Sequence, residues 1–168
     1  MHPLEHLYLN RKRELYSYAL CLTGHRQDAE DAIHSTFQKL LASKSHLNKR
    51  DLAPYVFRCL RNHIIDQHRQ RGLAQFREMT DASLDHEHLT ASPTPSHRLA
   101  LEELDLLWKS VGPLEQEIIA LKAMDGFTFR EIALIQDASI NTVSSCYRRG
   151  LVKMKQALHS LLQREIIL

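Results

Sequence analysis

One stretch limits what this chain can become more than any other: Thr128 to Leu158, TFREIALIQDASINTVSSCYRRGLVKMKQAL. Thr128 and Glu131 have the S/T-x-x-E spacing of a capping box, which marks a helix start. Phe129, Ile132, Ala133 and Ile135 give that helix an apolar side. Gln136-Asp137-Ala138 interrupts the pattern, and Asp is one of the few residues that enter a left-handed turn conformation readily. Ser139 is a good N-cap for a second helix. Along that helix Val143, Tyr147, Gly150, Leu151, Met154, Leu158 and Leu161 fall in one stripe roughly 100° wide. Asn141, Thr142, Ser145, Arg148 and Arg149 fall opposite, with Ser144 at their margin. One packing face and one cationic, hydrogen-bonding face is what a helix-turn-helix lays in the major groove. An ordinary amphipathic hairpin with a solvated polar face has the same pattern.

The rest of the chain suits helices. Five Gly, five Pro and 43% apolar residues in 168 allow real cores, and few segments alternate as strands do. No apolar run approaches the roughly 18 residues of a bilayer span, and MHPLEHLYLN has no apolar signal core. Cys21, Cys59 and Cys146 are odd in number and widely spaced, which points to free thiols in a reducing cytoplasm. Charge is uneven: residues 1–77 hold 13 Lys/Arg against 7 Asp/Glu, 78–97 hold none against 4, 98–125 hold 3 against 6, and 126–168 hold 6 against 3. Basic ends therefore flank an acidic middle.

Residues 4–22 form a first amphipathic helix, with Leu4, Leu7, Tyr8, Leu15, Tyr18, Ala19 and Leu22 inward and Gly24 as its stop. Arg11-Lys12-Arg13 reads as a solvated face. The next helix, Asp28 to Leu41, places Ala29, Ile33, Phe37, Leu40 and Leu41 inward. Asp28, Asp31, His34, Ser35 and Gln38 share its outer face, which fits either a protein-docking surface or plain solvation. A third helix begins near Pro54, with Ala53, Phe57, Leu60 and Ile64 as its buried row. Tyr55, Arg58, Asn62, Asp66 and Arg69 recur on another side. Such a face can stack on bases and hold phosphates of a single strand, or be no more than surface. DASLDHEHLTASPTPS reads as a linker; its His86, His88 and His97 fit no compact zinc pattern. Two more helices, Arg98–Val111 and Pro113–Met124, precede the helix-turn-helix. Their inward residues are Ala100, Leu104, Leu107, Trp108 and Val111, then Leu114, Ile118 and Leu121.

Three segments, LTGHRQDAEDAIHSTFQKL, PYVFRCLRNHIIDQHRQR and GPLEQEIIALKAMDGFTFREIALIQDASINTVSSCYRRGLVKMKQAL, together resemble the extracytoplasmic-function (ECF) class of bacterial RNA polymerase sigma factors. They cover most of the chain in the family's order. The resemblance implies an all-α fold of two small helical domains. These are a sigma-two-like domain over 1–77 and a sigma-four-like helix-turn-helix domain over 98–168, joined by a flexible acidic linker over 78–97. It implies no catalytic centre, no cofactor and no metal. The partners it implies are core polymerase (β′ coiled coil and β flap), promoter DNA and an anti-sigma protein.

By position, Asp28, Asp31, His34 and Gln38 would dock on the β′ coiled coil, His34 replacing a common Gln. Tyr55, Arg58, Arg61, Asn62, Asp66 and Arg69 would hold and melt the −10 element, Tyr55 standing where Trp is frequent. The loop Ser43–Asn48 resembles the one that captures a flipped base. Asn141, Thr142, Ser144, Ser145, Arg148 and Arg149 would read the −35 element. Ser144 and Cys146 stand where the family often has cations, so the expected −35 preference is unusual or weak. A regulatory module that docks on polymerase or an anti-sigma protein without directing initiation is the alternative; a metal-dependent enzyme using the linker histidines is another.

Overall fold

The computed structural model describes residues 2–43, 51–71 and 95–166, the last with backbone alone over 95–101 and 164–166. The fold is all-α, with no strand among the described residues. Three helices come first, α1 (Pro3–Thr23), α2 (Arg26–Ala42) and α3 (Leu52–Gln70). Four others follow among the described residues: α4 (Pro95–Lys109), α5 (Pro113–Ile119), α6 (Phe129–Gln136) and α7 (Ile140–Ile166). α4 begins inside the stretch assigned to the linker; the rest of that stretch, with His86 and His88, lies outside the described residues.

Local chemistry sets most of the ends. Gly24 ends α1 in the left-handed region at φ 72°, its N–H bonding Leu20 O, a conformation that glycine adopts without steric cost. Asp137 ends α6 the same way at φ 53°. At the start of α6 the Thr128 hydroxyl accepts from Glu131 N–H at 3.2 Å, and Thr128 N–H donates to the Glu131 carboxylate at 2.8 Å. Ser139 caps α7 by accepting from Thr142 N–H at 3.1 Å. Four sequence-level assignments thus hold to the residue.

α1, α2 and α3 pack mutually, and α7 packs on α4, α5 and α6. Leu4, Leu7, Leu15, Tyr18, Ala19 and Leu22 are buried as the spacing predicts. Elsewhere the inward rows shift. Leu41 is 50% exposed, while Ala32 and Thr36 are buried in α2. Leu104, Leu114, Leu151 and Leu158 are also exposed, and Trp108 is only half-buried. α7 runs 27 residues against seven for α5 and eight for α6, so its stripe extends past the core available to cover it.

Met124 is 59% exposed for a different reason. Between α5 and α6 the chain makes a π turn over Ala120–Met124, with Asp125 N–H bonding Ala120 O at 3.1 Å. The extra residue per turn rotates the downstream residues out of the 3.6-residue register. It also delivers Phe127, 2% exposed, onto Phe57 of α3 at 4.8 Å between ring centroids, edge to face.

That contact joins the two helical domains. The buried cluster runs without a break from Leu4 to Ile64 and on through Ile118, Leu121, Phe127, Ile132 and Val143. α3 packs on α6. Arg11, expected in solvent, is half-buried, with its guanidinium 4.9 Å over the Phe127 ring, and α1 leaves helical geometry at that residue (φ −121°).

Candidate nucleic-acid interface

α7 turns a polar face outward at its start. Asn141, Thr142, Ser145, Arg148 and Arg149 are exposed, while Val143 (0%) and Cys146 (2%) are buried behind them. Ser139 and Thr142 hydroxyls bond at 2.8 Å, and Ser144, half-buried, donates to Asn141 O at 3.2 Å. Arg149 reaches back to Cys146 Sγ at 3.0 Å. Cys146 therefore does not stand at the outer face, as its alignment with a basic position suggests; only Ser144 lies at its edge.

The fixing of α7 is local to its domain. At Gly150 a β-carbon would meet Ile119 Cδ1 at 2.8 Å and Glu115 Cβ at 3.2 Å, so hydrogen is the side chain that lets α7 lie this close to α5. One turn on, Lys153 Nζ binds both Glu115 carboxylate oxygens at 2.8 and 2.9 Å. Burial works against the Glu115 anion, but the bonds from Lys153 and from Gly112 N–H hold its carboxyl below the usual range. Tyr147 packs edge-on to Phe129 at 5.4 Å.

The second polar face, on α3, is placed otherwise. Asn62, Asp66 and Arg69 are exposed, and Tyr55 is half-buried. The Cys59 thiol one turn on, with which Tyr55 makes a side-chain hydrogen bond, pushes the Tyr55 hydroxyl up from its ordinary range. Arg58 approaches Asp137 of the other domain at 3.5 Å, both side chains well exposed. Arg61 is enclosed: its side chain is 17% exposed and its Nε donates to Glu117 Oε1 at 2.8 Å. Glu117, itself 1% exposed, also accepts from the Tyr18 hydroxyl at 2.6 Å. Burial, and then the Glu117 carboxylate beside it, push the Tyr18 phenol well up. The resemblance, not helical spacing, gave Arg61 a place at the α3 face, and the sequence reading gave Glu117 no role. Their partners are 56 and 99 residues apart in the chain, beyond the reach of any periodicity.

On α2, Asp31, His34 and Gln38 are exposed along one face, with Gln38 bonded to His34 at 3.0 Å. Asp28 is half-buried and paired with Arg71 at 3.1 Å. The loop Ser43–Asn48 lies outside the described residues from Lys44 onward. Among the described residues no helix is long and apolar enough to cross a membrane.

Residues 7–73 match the family model described as sigma-70 region 2. The ECF RNA polymerase sigma factor EcfG of Rhodopseudomonas palustris (strain TIE-1) is 25% identical over 147 residues, 86% of this chain and 79% of that protein. The sigma factor RpoE of Bartonella quintana, solved with the anti-sigma factor NepR, superposes with a TM-score of 0.66 at 22% identity. That likeness covers 93% of this chain and 96% of RpoE, and it supports the fold. A sigma-70 region 2 match over α1–α3, likeness to an ECF factor over most of the chain and a shared helical fold agree: the chain carries a sigma-70 region 2 and is similar to sigma factors of the ECF class.

Proposed function

We infer that this sigma factor binds core RNA polymerase and directs initiation at its own promoters by reading −35 as duplex and −10 as melted strand. The observation that carries this reading is the first three turns of α7. Their hydrogen-bonding and cationic side chains are exposed together, while the opposite side is locked to α5 and α6. In this reading Asn141, Thr142, Ser144, Ser145, Arg148 and Arg149 face the −35 groove, Arg and Asn supplying base or phosphate contacts. Tyr55 stacks on an unpaired base at −10, and Arg58, Arg61, Asn62, Asp66 and Arg69 hold the strand. In the same reading residues 1–77 serve docking and −10, and 98–168 serve −35.

EcfG is named for RNA polymerase and RpoE was solved with an anti-sigma factor; we extend both classes of partner to this chain. Asp28, Asp31, His34 and Gln38 are the proposed docking face for polymerase, which supplies all the chemistry. The protein works in the cytoplasm, where polymerase and promoter are.

Transcription with purified core polymerase and a randomised promoter library tests initiation directly. Tyr55→Ala tests the division of labour. Base–aromatic stacking contributes about 1–3 kcal/mol, so open-complex formation should slow by roughly tenfold or more. Binding to −35 duplex and to polymerase should be kept. Equal loss of all three would mean a folding defect and overturn the assignment.

A further inference from the structure

We propose that the two neighbouring arginines of α7 have different tasks at −35, Arg148 reading base edges and Arg149 clamping a backbone phosphate, with Cys146 as the residue that positions Arg149. The inference rests on the −35 reading of α7 given above and assigns roles within it.

Position around the helix separates the two arginines. At about 100° per residue, Asn141, Ser145 and Arg148 fall within about 60° of one another along the middle of the exposed face. Arg149 lies about 100° round from Arg148, on the side of Thr142 and Cys146, where the exposed face meets the core. A helix with its side chains is about 10–12 Å across, and the major groove is about 12 Å wide. The middle row of a docked helix therefore meets the floor of the groove, where base edges lie. Its flanks meet the phosphate walls.

Arg149 is held to its flank. A guanidinium donates and cannot accept, so the 3.0 Å contact between Arg149 and Cys146 Sγ is an N–H donated to sulfur. Cys146 is buried with Val143, behind the exposed face. The Glu115 carboxylate of α5, gripped by Lys153, draws on the same guanidinium from the core side. The head group is thus turned away from the middle row, and part of its rotamer freedom is lost before any DNA arrives. Arg148 is exposed and makes no side-chain hydrogen bond or ion pair with another described residue. Its fork can turn onto the two acceptors that a guanine shows in the major groove. Cysteine suits the position between them: it packs as a small apolar residue, and its sulfur still accepts one weak bond.

Holoenzymes of core polymerase with wild type, Arg148→Ala, Arg149→Ala, Arg149→Lys, Cys146→Ala and Cys146→Ser should be compared on a duplex promoter library randomised over −35. Its −10 element is fixed to the sequence that the wild type selects. Arg148→Ala should lose roughly tenfold of the discrimination at one or two base pairs. Arg149→Ala should bind every sequence roughly tenfold more weakly, with an unchanged preference and a salt slope shallower by about 0.9. Arg149→Lys, which keeps the charge, should keep the slope. Cys146→Ala should weaken binding about threefold on every sequence, the effect of freeing one long side chain. Cys146→Ser, which still offers an acceptor, should restore it. In the Arg149→Ala background Cys146→Ala should cause no further loss, whereas a packing defect would add its full effect.

Full additivity would overturn the positioning role of Cys146. A preference reshaped by Arg149→Ala, or a salt slope left unchanged by it, would overturn the phosphate assignment. Should Cys146→Ala fail to fold, the Arg149 variants, substituted at the surface, decide the proposal by themselves. A wild type with no preference at −35 would overturn the function proposed above and this inference together. A wild-type preference combined with either failure would overturn this inference alone.

Discussion

The two polar faces of this chain are held in opposite ways. α7 is fixed by neighbours in its own domain: Gly150 lies against α5, Lys153 grips Glu115, and Tyr147 packs on Phe129. α3 is fixed in part by the other domain, through Phe57 on Phe127 and Arg61 on Glu117. The first arrangement leaves a polar surface open as it stands, and the second ties a surface to the rest of the fold. In the proposed function that difference suits a duplex element read at first encounter and a melted one needed later.

The largest expected effect lies on the junction side. Asp125, just after the π turn, is 8% exposed, and burial first, then Glu14 of α1, push its carboxyl from near 3.8 up to about 7. Arg11 opposes this shift, and Lys12 and Arg13 line the same crevice. A carboxyl raised in the folded chain binds a proton there that the unfolded chain releases. The contribution to stability is therefore fully present below about pH 4 and is progressively lost as pH rises to about 7. The full difference amounts to at most about 4 kcal/mol. Asp125→Asn, neutral throughout, should bring the fold at pH 8 to its acid-side stability and flatten its pH dependence, measured by urea unfolding from pH 4 to 8. A slope that survives in the variant would place the titration elsewhere.

The α7 side should respond with less reach. Gly150→Leu forces a branched side chain where even a β-carbon finds Ile119 at 2.8 Å. Overpacking of that kind costs about 1–3 kcal/mol. Binding of −35 duplex should fall with it, while amide exchange in α3 stays at its wild-type rate. Faster exchange in α3 would mean that α5 transmits the displacement along its length to Glu117, and that the two faces are less separate than their contacts suggest.

The difference between the faces also separates what could be read from the chain from what could not. Gly24, Thr128, Asp137 and Ser139 act on backbone within a few residues, so their roles are set by spacing. The exposed row of α7 is set by helical period. Glu117 has the same local signature as any charged residue on a short amphipathic helix, and its partners Tyr18 and Arg61 are brought in from α1 and α3. Arg61 entered the α3 face only through the family resemblance, and nothing in the sequence marked it as already paired. The π turn over Ala120–Met124, which no period announces, rotates the chain ahead of α6 and leaves Met124 exposed. Cys146 shows the converse error. Likeness to a position that is often basic suggested an outward side chain, whereas three residues from buried Val143 it faces the core.

The smallest change is the one that asks whether the faces share a support. α6 packs against both α3 and α7, and its first turn depends on Thr128, whose hydroxyl satisfies Glu131 N–H. Thr128→Ala removes that acceptor and should destabilise α6 by about 1 kcal/mol. Neither polar face contains Thr128, so any response in them must travel through α6. If α6 is a common brace, hydrogen exchange should quicken in α3 and in the first turns of α7 by a similar factor, roughly fivefold for about 1 kcal/mol. If only α7 responds, the junction is held by Glu117 and Phe127 without help from α6. The polar face of α7 would then be insensitive to changes at α3, as the proposed division between duplex and strand requires.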